Sequence, residues 1–276
     1  MTPDDYWSTQ VGGRGTSLYY SLLFSTPPQR RAVTAVYAFA HEIDDVVDSI
    51  QDPGVAHTKL AWWHEELTRL YDGRARHPVT QALAPSTSDL DRKLFARMLQ
   101  EAAVAAARLR YVDFESLDAH CRHTGGSAAM LAATILGARD AAAIRYAESL
   151  GAALRLTAIL KNVGQDLRRD RIYLPAEDLR RFNISEADIL ARRHTPAFSA
   201  LMQFEVERNS EGYAKALLEL PAADRSNQLP GVILANIARA ELQELKRDDY
   251  PVLEQRIALT PLRKLWIAWR TRIAEP

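Results

Sequence analysis

The stretch Tyr37-Ala38-Phe39-Ala40-His41-Glu42-Ile43-Asp44-Asp45-Val46-Val47-Asp48 sets three aspartates into an otherwise apolar helical pattern. On a helix, Asp44 and Asp48 lie one turn apart and point the same way. Stacked beside Ile43, Val46 and Val47, the two carboxylates repel each other unless something positive sits between them. Oxygen-rich sites of this kind suit Mg2+, which takes few carboxylates and shares its remaining positions with substrate phosphates. The stretch therefore points to a helical enzyme that binds a diphosphate through Mg2+.

The sequence on either side reads as helix after helix. Alanine, leucine, arginine and glutamate dominate, and all four favour helix. Alternating, β-branched strand patterns are nearly absent. Pro27-Pro28 opens the helix that carries the aspartates, since proline is tolerated in a first helical turn. Asp52-Pro53-Gly54 reads as a break. Further helices are expected over 58–70, 89–109, 141–167, 177–182, 186–192, 196–220, 230–245 and 262–273. Gly125-Gly126 allows close helix packing or a kink. No low-complexity linker and no fixed-period repeat interrupts residues 1–276, so one all-α domain is the economical reading.

Bulk properties narrow the function. The 276 residues carry 47% hydrophobic residues, enough for a substantial core. Their 35 basic and 35 acidic residues give a net charge of +0, which argues against bulk attraction to nucleic acid or anionic membrane, though not against a local patch. The single cysteine, Cys121, makes no internal disulfide and fits a reducing cytoplasm. The acidic N-terminus lacks an apolar signal core. No stretch approaches the roughly 18 uninterrupted apolar residues of a membrane span. The expectation is a cytoplasmic protein, with room for peripheral contact at the inner membrane.

A second polar segment is Lys161-Asn162-Val163-Gly164-Gln165-Asp166-Leu167-Arg168-Arg169-Asp170-Arg171. Asn162 and Asp166 are one turn apart, and Arg155 lies two turns earlier on roughly the same face. An aspartate helix facing this one would enclose metal ions from both sides, with arginines available to phosphate oxygens. Alone, such a charge-rich helix end is more often just solvated.

Together these segments resemble the squalene/phytoene synthase family. The likeness runs from Thr16 to about Ile184, and its N-terminal half is most similar to bacterial presqualene diphosphate synthases of the hopanoid pathway. It is carried by Thr16-Ser17-Leu18-Tyr19-Tyr20-Ser21, by Arg31 to Phe39, by Asp44-Asp45-Val46-Val47-Asp48 and by Lys59-Leu60-Ala61-Trp62-Trp63. His77-Pro78-Val79 and Arg171-Ile172-Tyr173-Leu174-Pro175 complete it. The resemblance implies an all-α isoprenoid synthase type I fold around a central cavity. It implies head-to-head condensation of two prenyl diphosphates, farnesyl diphosphate above all, to presqualene diphosphate or squalene. It also implies Mg2+ held by Asp44, Asp45, Asp48, Asn162 and Asp166, with catalytic roles for Tyr37, Asp44 and Asp48. Substrate contacts fall to Ser17, Tyr20, His41, Arg155, Lys161 and Tyr173.

The departures from the family pattern cluster at the chemistry. An arginine three residues before the first aspartate is His41 here, and the tyrosine before the cysteine is His120. The second motif, usually Gln-Leu-x-Asn-Ile-x-Arg-Asp-x-x-Glu-Asp, reads Arg155-Leu156-Thr157-Ala158-Ile159-Leu160-Lys161-Asn162-Val163-Gly164-Gln165-Asp166. Ala158 offers no ligand, and Asn162 offers an uncharged carbonyl oxygen. Two readings follow. Either the enzyme works with fewer metals, with Arg155 or His41 neutralising the diphosphate, or the fold persists as a lipid-binding or assembly protein. A class I terpene cyclase, which also tolerates an Asn/Asp motif, is a third reading that the landmarks oppose.

Other candidates have plainer readings. His41 is expected to pair with a carboxylate, and Trp62 and Trp63 to pack. His120 and His123 bracket Cys121, but no second ligand pair at zinc spacing accompanies them. Pro261 to Arg270 is basic with two tryptophans, and is expected to dock on the core through Leu265, Trp266 and Trp269. Its alternative is to lie in a membrane interface.

Overall fold

The computed structural model describes residues 13, 15–50, 52–107 and 110–275. Its helices begin where a polar cap meets proline. Thr26, Asp52, His77, Thr195 and Thr260 each accept a hydrogen bond from a backbone N–H of the next turn, and each precedes a proline. Proline at the first position sacrifices only an N–H that has no helical partner anyway.

The helices run α1 Ser17–Ser21, α2 Pro27–Ser49, α3 Pro53–Tyr71, α4 Pro78–Leu83, α5 Arg92–Ala107, α6 Phe114–Cys121 and α7 Ser127–Ile135. They continue as α8 Ala141–Leu167, α9 Ala176–Arg181, α10 Glu186–Leu190, α11 Pro196–Glu219, α12 Leu229–Arg247 and α13 Pro261–Ala274. A single bridge, Arg110 to Ile172, is the only β pairing among the described residues. None of the helices described is long and apolar enough to cross a membrane.

Most expected helices hold to within a residue or two, and the exceptions have local causes. Helix α3 starts at Pro53, not Thr58, because the Asp52 carboxylate accepts from the Gly54 and Val55 amides at 2.8 and 3.0 Å. What reads as a break is thus an N-cap. Helix α5 starts at Arg92 instead of Asp89, and its expected end at Leu109 lies outside the described residues. Helix α10 stops at Leu190, short of Arg192, which takes a left-handed φ of 52°.

Two large apolar clusters flank a cavity. One gathers α2, α3, α4, α5 and α7, with Phe39 edge-on to Trp63 at 5.4 Å and to Phe95 at 5.0 Å. The other wraps the long α8 with residues of α6, α11 and α12. Between α6 and α7 the chain forms one π turn, Arg122–Gly126. A Cβ on Gly125 would overlap the Gly151 carbonyl, and one on Gly151 would overlap the Gly125 carbonyl. The Gly125-Gly126 pair therefore serves both expectations, an altered helix and a close approach. This contact draws α8 against the π turn one helical turn before Arg155.

Helix α13 corrects an expectation. It docks through Lys264, Ile267, Ala268 and Thr271, which are buried, while Leu265, Trp266 and Trp269 face outward.

Candidate functional site: an ion pair in the wall of an apolar cavity

Helices α2, α5, α7, α8 and the π turn enclose a cavity of ≈ 210 Å³. Its wall is largely apolar or small: Ala40, Ile43, Met98, Ala128, Leu154 and Ala158 among others. An apolar cavity of roughly 150 Å³ takes up benzene, so this one has room for an alkyl segment. Tyr37 lines it and also a smaller apolar cavity beyond, bounded by Leu22, Tyr146 and Leu150. Burial pushes the Tyr37 hydroxyl up to about 12, so it stays protonated at neutral pH.

Two charges interrupt this wall. The Arg155 Nη1 donates to Asp44 Oδ2 at 2.5 Å, and both residues line the cavity. Burial works against the guanidinium charge, but the carboxylates of Asp44 and Asp48 outweigh it and hold Arg155 firmly protonated. Its Nε–H is buried without an acceptor. Ala158, three residues on, removes bulk where Arg155 adds length and charge.

Asp48, one turn past Asp44, forms an ion pair with Arg169 at 3.4 Å. Burial raises its pKa, and the Asp44 charge raises it further. Asp166 is buried at 8% exposure, and its pKa is pushed up to about 7, first by burial and then by Asp48. The Asp48 charge of α2 thus acts on Asp166 of α8, against Arg155, Arg169 and Arg171, which lower its pKa. Arg171 closes the end of this region by donating to the Ala105 and Val47 carbonyls at 2.8 and 2.9 Å.

The remaining predicted residues separate. Asp45 is exposed and accepts from Ser49 Oγ at 2.6 Å, turned away from the Asp44–Asp48 face. His41 lines the cavity, but among the described residues no ion pair joins it to a carboxylate, contrary to the pairing expected for it. Asn162 is half-buried on α8, one turn before Asp166. Lys161 is ion-paired with Glu241 of α12, and Ser17 donates to the same carboxylate at 3.4 Å. Tyr20 sits in a separate apolar cluster with Leu229, Ile233 and Ile267, and it does not line the cavity. Tyr173 is buried, stacked on Tyr111 at 5.5 Å, with burial pushing its hydroxyl up to about 12.

Two residues of this region, Glu241 and Glu101, escaped sequence reading, and the contacts of a third, Arg171, were not foreseen. Glu241 ties Lys161 and Ser17 together, and Arg171 anchors the chain beside Asp48. Glu101 accepts from or pairs with both His120 Nδ1 and His123 Nδ1 at 3.0 Å. Each of these contacts joins positions far apart in the chain, so no local motif announces it.

The donor set fits a shared ion better than a protein cage. Among the described residues, no three of His, Cys, Asp and Glu converge on one metal position. Asp48 and Asp166 do repel each other, which a cation between them would relieve, and the Asn162 amide is on the same helix as Asp166. Mg2+ is ordinarily held by one or two carboxylates plus substrate phosphates, and this pair meets that requirement. Asp44 and Asp48 each already have a cation beside them, Arg155 and Arg169.

The comparisons agree with this architecture. The Squalene/phytoene synthase family model matches residues 11–263, and the chain belongs to that family of head-to-head prenyltransferases. It is 30% identical to a 15-cis-phytoene synthase of Synechocystis sp. over 92% of this chain and 80% of that one. It is equally 30% identical to a phytoene synthase of Mycobacterium tuberculosis, covering 91% of this chain and 84% of that one. Among solved structures, a dehydrosqualene synthase superposes with a TM-score of 0.85 at 22% identity, covering 99% and 96% of the two chains. A squalene synthase, HpnC from Alicyclobacillus acidocaldarius, gives 0.76 at 23% identity, covering 90% and 93%. These likenesses establish the isoprenoid synthase fold. The family acts on prenyl diphosphates and is generally dependent on divalent metal.

Proposed function

We propose that this chain condenses two farnesyl diphosphates head to head to presqualene diphosphate, releasing diphosphate and a proton. The observation that carries this reading is the Asp44–Arg155 pair set into the wall of an otherwise apolar cavity. An allylic diphosphate leaves only when its charge is neutralised, and the cation it leaves behind survives only away from water. The wall supplies both conditions.

Asp48, Asp166 and Asn162 would hold Mg2+. When bound, the ion supplies charge neutralisation for the departing diphosphate. Arg155 takes over part of that task, with its Nε–H free to donate to a phosphate oxygen. The C–O bond of the first molecule breaks, and the double bond of the second attacks the allylic carbon. Loss of a proton closes the cyclopropane. Tyr37, protonated and lining both cavities, orients the chains. His41 stands at the same wall as a further donor, and Lys161, held with Ser17 on Glu241, flanks Asn162. Squalene follows only with a hydride donor. A prenyl diphosphate is itself an amphiphile, so peripheral membrane contact fits this reading.

The names of the phytoene synthase relatives favour a second reading, condensation of longer prenyl diphosphates to phytoene. Purified protein incubated with Mg2+ and either the C15 or the C20 diphosphate separates the two by product mass. Diphosphate release with a C30 product supports the first reading, and a C40 product from the C20 substrate supports the second. No release with either substrate under any divalent metal leaves a relative that has kept the fold and lost turnover.

A further inference from the structure

Helix α13 turns its apolar side outward. Leu262, Trp266, Trp269 and Ile273 recur at helical spacing and are 79%, 53%, 57% and 60% exposed, with Leu265 beside them. At 100° per residue these five side chains fall within an arc of roughly 100°, the width a surface helix normally buries against its own core. The opposite arc is already used: Ile267 and Ala268 pack with Leu229, Ile233 and Ile237, and Lys264 donates to the Gly15 carbonyl at 2.8 Å. So the outer arc is not a misplaced core face.

The flanks of that arc are basic. Helix α13 contains no acidic residue and four basic ones, Arg263, Lys264, Arg270 and Arg272. Arg263 and Arg270 fall on one side of the apolar arc and Arg272 on the other. The Arg270 guanidinium lies over the Trp266 ring at 5.2 Å. Arg263 is ion-paired with Glu244. Between α13 and α12 runs a groove of ≈ 560 Å³ lined by Arg239, Arg263, Arg270 and Trp266. Glu275, at its end, is already paired with Arg225 at 2.8 Å.

We propose that α13 is a membrane-docking helix, seated in the interface of an anionic bilayer. Tryptophans flanked by arginines match the region where acyl chains meet phosphate headgroups, and leucine and isoleucine enter the acyl boundary. The groove arginines supply the charge complement to headgroup phosphates. Charge favours this occupant over a second copy of the chain, because two such helices face to face would bring their arginines together. The inference stands on α13 alone and does not depend on which prenyl diphosphate the cavity takes.

The test is co-sedimentation of the full chain with sucrose-loaded vesicles, either phosphatidylglycerol and phosphatidylcholine mixed or phosphatidylcholine alone. The wild type should sediment with the mixed vesicles, more weakly with phosphatidylcholine alone, and less as salt rises. The double variant Trp266→Ser, Trp269→Ser should lose about tenfold in partitioning with its melting temperature unchanged, since both side chains are exposed. Arg239→Gln with Arg270→Gln should abolish the preference for the anionic vesicles. Failure of the wild type to sediment, or equal sedimentation of the tryptophan variant, would overturn the proposal. So would light scattering that finds a wild-type dimer which the tryptophan variant dissociates.

Discussion

Arg155 of α8 donates from Nη1 to Asp44 of α2 at 2.5 Å, across a separation of 111 residues. The pair ties the two helices that form the site, and it puts a fixed positive charge where the family pattern has glutamine. Close by, Ala158 has replaced asparagine and Asn162 has replaced aspartate. Helix α8 thus has less negative charge to hold a metal and a guanidinium of its own nearby.

Reversing that exchange should reverse its consequence. The triple change Arg155→Gln, Ala158→Asn, Asn162→Asp restores the usual ligands on α8. Half-maximal activity should then come at about tenfold lower Mg2+ than in the wild type. Arg155→Ala alone leaves Asp44 without its partner and should cost about 1–3 kcal/mol of stability, since the pair is only partly buried. A Mg2+ titration of diphosphate release and a urea melt check the two effects.

Asp166 should trade stability for function. Its pKa is pushed up to about 7, above the ordinary carboxyl value of 3.8. Stability from the protonated form is therefore complete below about pH 4 and is lost as pH rises through 7. Asp166→Asn should raise stability at pH 8 by on the order of 2 kcal/mol while lowering turnover. Mg2+ should raise the wild-type melting temperature more at pH 8 than at pH 6, and calorimetry at the two pH values checks this.

Glu66 has the opposite sign. Burial alone would raise its pKa, but the amides of His77 and Arg76, the Thr80 hydroxyl and Arg69 all donate to it and hold it at about 2. Its contribution is present above about pH 4.5 and is lost as pH falls towards 2. Glu66→Gln should destabilise by about 2–4 kcal/mol and flatten the acid limb of the unfolding curve, with little change in catalysis.

Gly151→Ala should be far worse than its size suggests. The added Cβ would overlap the Gly125 backbone, which cannot move without separating the π turn from α8. A loss of about 1–3 kcal/mol should accompany a fall in activity, because α8 would carry Arg155 away from Asp44. Denaturant melts and turnover measured on the same preparation check both.

Helix identity and the first aspartate motif were legible because both are local. Cap, proline and apolar period stand within a few residues of one another, and Asp44 and Asp48 share a face by helix geometry alone. Asp45 was drawn into the metal set by family likeness, although about 100° per residue turns it off that face, and the structure has it on Ser49. Glu241, Glu101 and Arg171 act on partners 19 to 224 positions away, and such pairings are fixed by packing. Helix α13 misled because its tryptophans look like core anchors, when the buried arc runs through Lys264, Ile267, Ala268 and Thr271.

In the proposed reaction Arg155 shares with one metal position the task of neutralising a departing diphosphate. The most direct measurement is diphosphate release from farnesyl diphosphate by wild type, Arg155→Ala and Asp48→Ala across a Mg2+ series. The wild type should release diphosphate in a Mg2+-dependent way, with each variant reduced at least about 100-fold and not restored by saturating Mg2+. Full release by Arg155→Ala at high Mg2+, or none by the wild type under any divalent metal, would contradict it.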